Sequence, residues 1–216
     1  GLLLVNHSTF AAMRGAVVRH VVDLENIARE GWTTPRTRLQ MYRRLLSTCT
    51  TTGPESATLD AQSVRIGLRR GSTVERLRIA LRELDPDIDA DVTAREWSAL
   101  AEAQLEIALR EAREYVERRY GQVRAGDGTR NGFCVIGLGK LGGHELNAGS
   151  DIDIMFVHEA DEGWASPGGP EHLDALRPFD AFTSIAQRLV STLDSHDEGG
   201  FCARVDLRLR PEGSSG

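Results

Sequence analysis

Residues Gly137 to Phe156 read G-L-G-K-L-G-G-H-E-L-N-A-G-S-D-I-D-I-M-F. A glycine-rich turn runs within eight residues of Gly143 into two aspartates at strand spacing. Side chains of a strand alternate faces, so Asp151 and Asp153 project from one face while Ile152, Ile154 and Phe156 project from the other toward a core. Two carboxylates side by side repel, and a hard divalent cation such as Mg²⁺ relieves that repulsion at neutral pH. The expectation is metal-dependent phosphate chemistry of the nucleotidyl-transfer kind.

A second alternating run, Arg204-Val205-Asp206-Leu207-Arg208-Leu209-Arg210, puts Asp206 among three arginines on one face. If the two strands are neighbours, Asp151, Asp153 and Asp206 form the metal-binding and catalytic set, able to hold two ions. Arg208 and Arg210 then meet phosphoryl oxygens. Gly142 and Gly143, without Cβ atoms, are expected to let N–H groups at the start of a short helix approach phosphate, with the Lys140 ammonium beside them. Each piece alone has a plainer reading: a turn, a solvated strand, an exposed salt-bridge face. The combination and its order carry the expectation.

Two other phosphate fingerprints fail on spacing. Gly137, Gly139 and Gly142 spell G-x-G-x-x-G after Phe133-Cys134-Val135-Ile136, but the next apolar alternation begins at Asp151, leaving room for only two helical turns. A phosphate-binding loop of the G-x-x-x-x-G-K-[ST] kind fails because Leu141 follows Lys140. His144 and His158 read as a turn residue and as part of an acidic rim.

The organisation is helical first and mixed afterwards, an α+β chain. Thr34 before Pro35 predicts a helix start with Leu39, Tyr42 and Leu46 as its stripe. Ser72 to Glu75 and Thr93 to Glu96 read as capping boxes, the second opening the longest helix, to about Tyr120. Trp97, Ala101, Ala108, Ala112 and Tyr115 are its apolar face, and Glu106/Arg110 and Glu114/Arg118 its i,i+4 pairs. The expected division is a helical lead-in over 1–121, a linker over 122–132 and a catalytic core over 133–216. Within the core, the pattern predicts strand 133–137, a short helix near 142–147, strand 151–158 and a mobile loop from Asp161 to Pro170. A helix over 178–194 burying Phe182, Ile185, Leu189 and Leu193 follows, then strand 201–210.

The formal charge of −6 over 216 residues argues against broad nucleic-acid binding and favours a protein substrate. Cys49, Cys134 and Cys202 have neither disulfide nor zinc spacing, so buried thiols in a reducing cytoplasm are expected. Gly1-Leu2-Leu3-Leu4-Val5 does not read as a leader, and no membrane association is expected. The absent initiator Met, and an end just after a motif, lead to the expectation of a piece of a longer chain. Gly213 and Gly216 are expected to shape a turn beside the third carboxylate.

The runs from Gly137 to Phe156 and from Arg204 to Gly216, R-V-D-L-R-L-R-P-E-G-S-S-G, resemble the two signature segments of glutamine synthetase adenylyltransferases. The likeness covers roughly residues 74 to 216. It implies a nucleotidyltransferase core of the DNA polymerase β type, a small mixed sheet flanked by helices, truncated here on its C-terminal side. Leu141-Gly142-Gly143, Asp151/Asp153 and Asp206 occupy the places of that superfamily's turn and three acids. Glu145-Leu146-Asn147 and the Arg204 to Pro211 strand resemble the N-terminal, AMP-removing half, whereas Phe156-Val157-His158 is similar to the AMP-adding half. The resemblance implies phosphorolysis of an adenylylated tyrosine of glutamine synthetase, with Mg²⁺, phosphate and ADP or ATP as its small molecules. The resemblance also implies that Ser150, with Gly142 and Gly143, holds phosphate oxygens, and a part in moving a proton is a further expectation for Asp206. A further partner implied for the longer enzyme is the PII signalling protein. The alternatives are the AMP-adding half, a catalytically silent binding module of the same fold, and a small-molecule nucleotidyltransferase of the same superfamily.

Overall fold

The structure is a computed structural model that describes residues 21–50, 59–167, 175–195 and 202–207. Four helices come first: α1 (Val21–Glu30), α2 (Arg38–Cys49), α3 (Ala61–Glu83) and α4 (Ala90–Tyr120). The chain then alternates through β1 (Val123–Ala125), β2 (Phe133–Gly137), the single turn α5 (Gly139–Gly142), β3 (Ile152–His158) and β4 (Gly163–Ala165). Helix α6 (Pro178–Asp194) and the short strand β5 (Val205–Asp206) complete the described chain. The order is the α+β arrangement expected.

All three predicted helix starts are displaced, and in α3 and α4 the glutamates of the expected capping boxes meet arginines instead of the backbone. Helix α2 begins after Thr37, whose hydroxyl accepts from Gln40 N–H while Gln40 Oε1 accepts from Thr37 N–H at 2.8 Å. Ahead of that cap, Arg36 N–H donates to Glu96 of α4 at 3.0 Å. Helix α3 starts at its Asp60 cap and runs straight through Ser72, Thr73 and Glu75. Ser72 is buried and accepts from Gln104 Nε2 at 2.7 Å, and Glu75 turns inward to Arg78. Helix α4 starts one turn early at Asp89, since Glu96 faces Arg78 and Arg82 rather than the backbone.

Those displacements trace one buried ionic cluster. Glu75 accepts from Arg36, from Arg44 at 3.1 Å and from Arg78 at 2.9 Å; Glu96 accepts from Arg78 at 2.6 Å and Arg82 at 2.5 Å. Arg78, Arg82, Glu75 and Glu96 are all shielded from water. Arg82 also donates to the Thr33 carbonyl, fixing the segment ahead of α2. The predicted surface pairs along α4 are likewise re-partnered: Glu106 meets Arg38 of α2 at 2.9 Å, Arg110 pairs with Glu114 at 2.8 Å, and Glu114 accepts from Leu59 N–H. Trp97, Ala101, Ala108 and Ala112 are buried as expected, whereas Tyr115 is exposed with the Arg188 guanidinium 3.6 Å from its ring centroid.

The main sheet has the order β2-β3-β5, with β2 and β3 antiparallel and β3 and β5 parallel. Helix α6 lies between this sheet and α4. It buries Phe182, Ile185, Leu189 and Leu193 as predicted, and Phe182 stacks 4.9 Å from Phe133, which stacks 5.8 Å from Phe156. On its other side Arg188 forks onto both oxygens of Glu111, a fully buried residue of α4, at 3.0 and 2.6 Å. One hydrophobic cluster therefore runs through helical and mixed regions alike.

Two segments expected to be irregular are strands. β1 falls inside the predicted linker and β4 inside the predicted mobile loop, and they pair antiparallel from Val123↔Ala165 to Ala125↔Gly163. The buried Asn131 amide locks the junction by donating to the Ala160 carbonyl at 2.7 Å and accepting its N–H at 3.1 Å. Pro170, Arg208, Arg210, Gly213 and Gly216 lie outside the described residues. Among the described residues no helix is long and apolar enough to cross a membrane.

The thiols correct one expectation: Cys49 and Cys202 are buried, but Cys134 on β2 is exposed. Burial pushes the Cys49 thiol up to about 12. A maleimide added to the folded chain should modify Cys134 alone, with Cys49 and Cys202 reacting only in denaturant; mass mapping of labelled peptides checks this. Glu96→Ala strands Arg78 and Arg82 without their counter-charge and should lower unfolding stability by about 3–5 kcal/mol in urea titration.

Candidate active site

Parallel pairing of β3 with β5 sets Ile152 opposite Val205 and Asp153 opposite Asp206. Adjacent strands lie about 4.8 Å apart. The two carboxylates therefore leave neighbouring strands at the same level, both partly exposed. On the other face Ile152 and Ile154 are sealed in the core, which fixes the register and with it the direction of the acids. The strands are anchored at their heads, where Ile152 N–H donates to the Arg204 carbonyl at 2.9 Å.

Asp151 stands one residue ahead of β3 and is held there by Arg204, whose Nε lies 2.8 Å from its Oδ1. The same guanidinium donates to the Gly149 carbonyl at 3.0 Å. Thus Asp153 and Asp206 are brought together while Asp151 faces a cation. Among the described residues no group of three or more His, Cys, Asp or Glu stands close enough to hold a metal ion. The pair Asp153/Asp206 fits a hard cation by its all-oxygen donor chemistry and its matched register.

The glycine turn is placed differently from expectation. The helical turn α5 ends on the Gly-Gly pair instead of starting from it, with Gly142 its last residue and Gly143 its C-cap, and Leu138 N–H just ahead of it donates to the Asp153 carbonyl at 2.8 Å. Gly142 N–H donates to the Leu138 carbonyl and Gly143 N–H to the Gly139 carbonyl, both at 3.0 Å. Those two N–H groups are engaged inside the turn. Gly142 instead allows close packing, since a Cβ on it would sit 2.7 Å from the Gly137 carbonyl. The glycine that faces the acids is Gly139. Its φ is +52°, and an added Cβ would lie 2.8 Å from Asp153 Oδ2.

Of the other predicted residues, Lys140 is exposed on α5, within one residue of that contact. Ser150 is tied to Asn147 through its hydroxyl and through its N–H, the latter to the carbonyl at 3.1 Å. Arg208 and Arg210 lie outside the described residues. His144 adopts a positive φ in the turn and points at Glu102, and His158 stacks on Phe182, 5.3 Å between ring centroids. Neither histidine joins the carboxylates.

The site residues that sequence reasoning missed are Gly139 and Arg204. A signal for Arg204 exists in the spacing: D-x-D on one strand and R-x-D on the next, once paired Asp153 to Asp206, set Arg204 against Asp151. Gly139 is legible in the sequence only as part of a rejected fingerprint.

The family of glutamate-ammonia ligase adenylyltransferases matches residues 12–216 of this chain. Curated relatives carry the name bifunctional glutamine synthetase adenylyltransferase/adenylyl-removing enzyme. One from Alteromonas mediterranea is 34% identical over 157 residues, covering 73% of this chain and 16% of the relative. One from Burkholderia mallei is 39% identical over 138 residues, 64% of this chain and 14% of the relative. One from Pseudomonas aeruginosa is 40% identical over 154 residues, 69% of this chain and 15% of the relative. The matches thus span about a sixth of the relatives' length or less. With a match running through the β3 aspartates and the β5 strand, the chain belongs to the glutamate-ammonia ligase adenylyltransferase family.

Proposed function

We propose that this chain carries the adenylyl-removing site of a glutamine synthetase regulator in the cytoplasm, transferring AMP from an adenylylated tyrosine to inorganic phosphate. The observation that supports it most is the level pairing of Asp153 with Asp206 beside the Gly139 turn. In the proposed reaction an oxygen of inorganic phosphate attacks the AMP phosphorus in line. The new P–O–P bond forms as the bond to the tyrosine oxygen breaks, giving ADP and a phenolate that takes up a proton. No protein nucleophile is required.

Asp153 and Asp206, with Asp151 once released by Arg204, would hold Mg²⁺, which supplies positive charge to the phosphoryl oxygens. The chain's own residues do the positioning. Arg204 and Lys140 bring cationic charge to the same rim, and Arg208 and Arg210 follow Asp206 at strand alternation. The Asn147-bound Ser150 orients the approach to Asp151. Strand β2 and α5 form the wall behind Asp153. Glu145-Leu146-Asn147 ahead of the aspartates favours the removing half over the adding half. Regulation by the PII signalling protein through the longer enzyme belongs to the same reading.

Incubation with adenylylated glutamine synthetase, phosphate and Mg²⁺ should release ADP, and Asp153→Asn or chelation of the metal should abolish it. No release from a folded chain, with AMP incorporation from ATP instead, would reverse the assigned direction. Gly139→Ala pushes a methyl into the Asp153 carboxylate; a shift on the order of 1 Å there should reduce ADP release about 10²-fold. Thermal melting of that variant checks that the fold survives.

A further inference from the structure

Between α4 and the 146–150 loop lies a cavity of about 210 Å³. It opens on the Ile152 side of β3, and strand alternation puts Asp153 on the opposite side. The space therefore lies across the strand from the proposed transfer. An apolar cavity of about 150 Å³ takes a benzene-sized molecule, so this one takes about eight non-hydrogen atoms, well short of a nucleotide. Leu100, Ala101, Leu146 and Ile152 supply aliphatic walls. Trp97 adds an indole whose N–H is already given to Glu83 at 2.6 Å, so that it offers the cavity carbon surface. The walls are pinned to each other, since Leu146 N–H donates to the Ser98 hydroxyl of α4 at 3.3 Å.

The charge in this apolar space is of one sign. Arg76 of α3 and Arg204, just ahead of β5, both line it, and among its described lining residues there is no Asp or Glu. A guanidinium carries several N–H donors in a planar fork, so one protein partner does not exhaust it. Arg76 is partly buried, and loss of water lowers its pKa, which marks a cation whose surroundings favour an added negative charge. Gln104, 2% exposed, gives one amide N–H to Ser72 Oγ at 2.7 Å and carries a second.

We infer that this cavity binds a small aliphatic monocarboxylate, its carboxylate on the Arg76 fork and its hydrocarbon tail among Trp97, Leu100 and Leu146. Each part of that ligand answers a part of the lining. Inorganic anions would leave the carbon walls unfilled, and a neutral hydrocarbon would leave the guanidinium groups without a counter-charge. An amino acid brings an ammonium group that both arginines repel and that no lining carboxylate receives. The inference goes beyond the nucleotidyl-transfer reading and stands independently of it.

The test titrates 4-methylpentanoate, its amide, leucine and acetate calorimetrically into the metal-free chain. 4-Methylpentanoate should bind. The amide, which keeps the shape and loses the charge, and leucine, which adds an ammonium to the same skeleton, should each bind at least about tenfold more weakly. Acetate, charged but without the tail, should lose at least about tenfold as well. Arg76→Met should erase the preference for carboxylate over amide. Equal binding of carboxylate and amide by the intact chain, acetate as tight as 4-methylpentanoate, or a preference that survives in folded Arg76→Met overturns the proposal. If circular dichroism shows Arg76→Met unfolded, Ala101→Leu fills the cavity instead, and an unchanged 4-methylpentanoate affinity in that folded variant overturns it equally. ADP release measured in parallel reads the acids alone: its absence leaves the carboxylate site standing, and a missing carboxylate preference sinks the site and leaves the reaction.

Discussion

The forked ion pair between Arg188 of α6 and the fully buried Glu111 of α4 is the joint on which the rest of the structure hangs. A carboxylate with no access to water must find a cation, and the geometry that satisfies Glu111 brings α6 alongside α4. Helix α6 carries the sheet with it through the Phe182, Phe133 and Phe156 stack. The acids on β3 and β5 are thereby held at a fixed distance from the helical half. A second carboxylate of the same helix, Glu96, does the corresponding work one end earlier by gripping Arg78 and Arg82 of α3. Helix α4 is thus the common strut, and its charged residues orient the layers around it.

The candidate site draws on both halves. Its carboxylates and glycine turn come from the sheet, but the space behind them is closed by Trp97, Leu100 and Gln104 of α4. That sharing also places Arg204 at a junction, touching the cavity, the 149 carbonyl and Asp151 together. An arginine so placed offsets the charge of Asp151 at the head of β3. The ordering of charges around β3 follows from alternation on two short parallel strands.

Local pattern and tertiary demand disagree most plainly at the helix starts. Ser72-Thr73-Val74-Glu75 and Thr93-Ala94-Arg95-Glu96 have the letters of capping boxes. Both glutamates instead lie in the buried ionic cluster, and both helices begin earlier at aspartate caps. A capping box contributes on the order of 1 kcal/mol, whereas a buried guanidinium without its carboxylate costs several. Pairing the buried charge therefore prevails over capping, and the helix extends backward to the next available cap. The Gly142-Gly143 pair likewise has a local structural use. Their N–H groups close the α5 turn, and the position that must lack a Cβ to face the carboxylate is Gly139.

Periodicity by itself determined the α+β order, the long helix to Tyr120, the strands around 133–137 and 151–158, and the α6 core face. Those features depend on alternation of two or of three to four residues, which is written in the chain and needs no partner to be read. Tertiary structure alone decided that Asp206 stands level with Asp153, that Asp151 is turned to Arg204, and that Gln104 lines a cavity behind them. The same holds for β1 and β4, whose three-residue strands are too short to announce themselves and form by pairing between segments far apart in the chain. Contacts between distant segments are set by which buried charges must meet and which apolar faces must close, and that balance exists only once the layers are assembled.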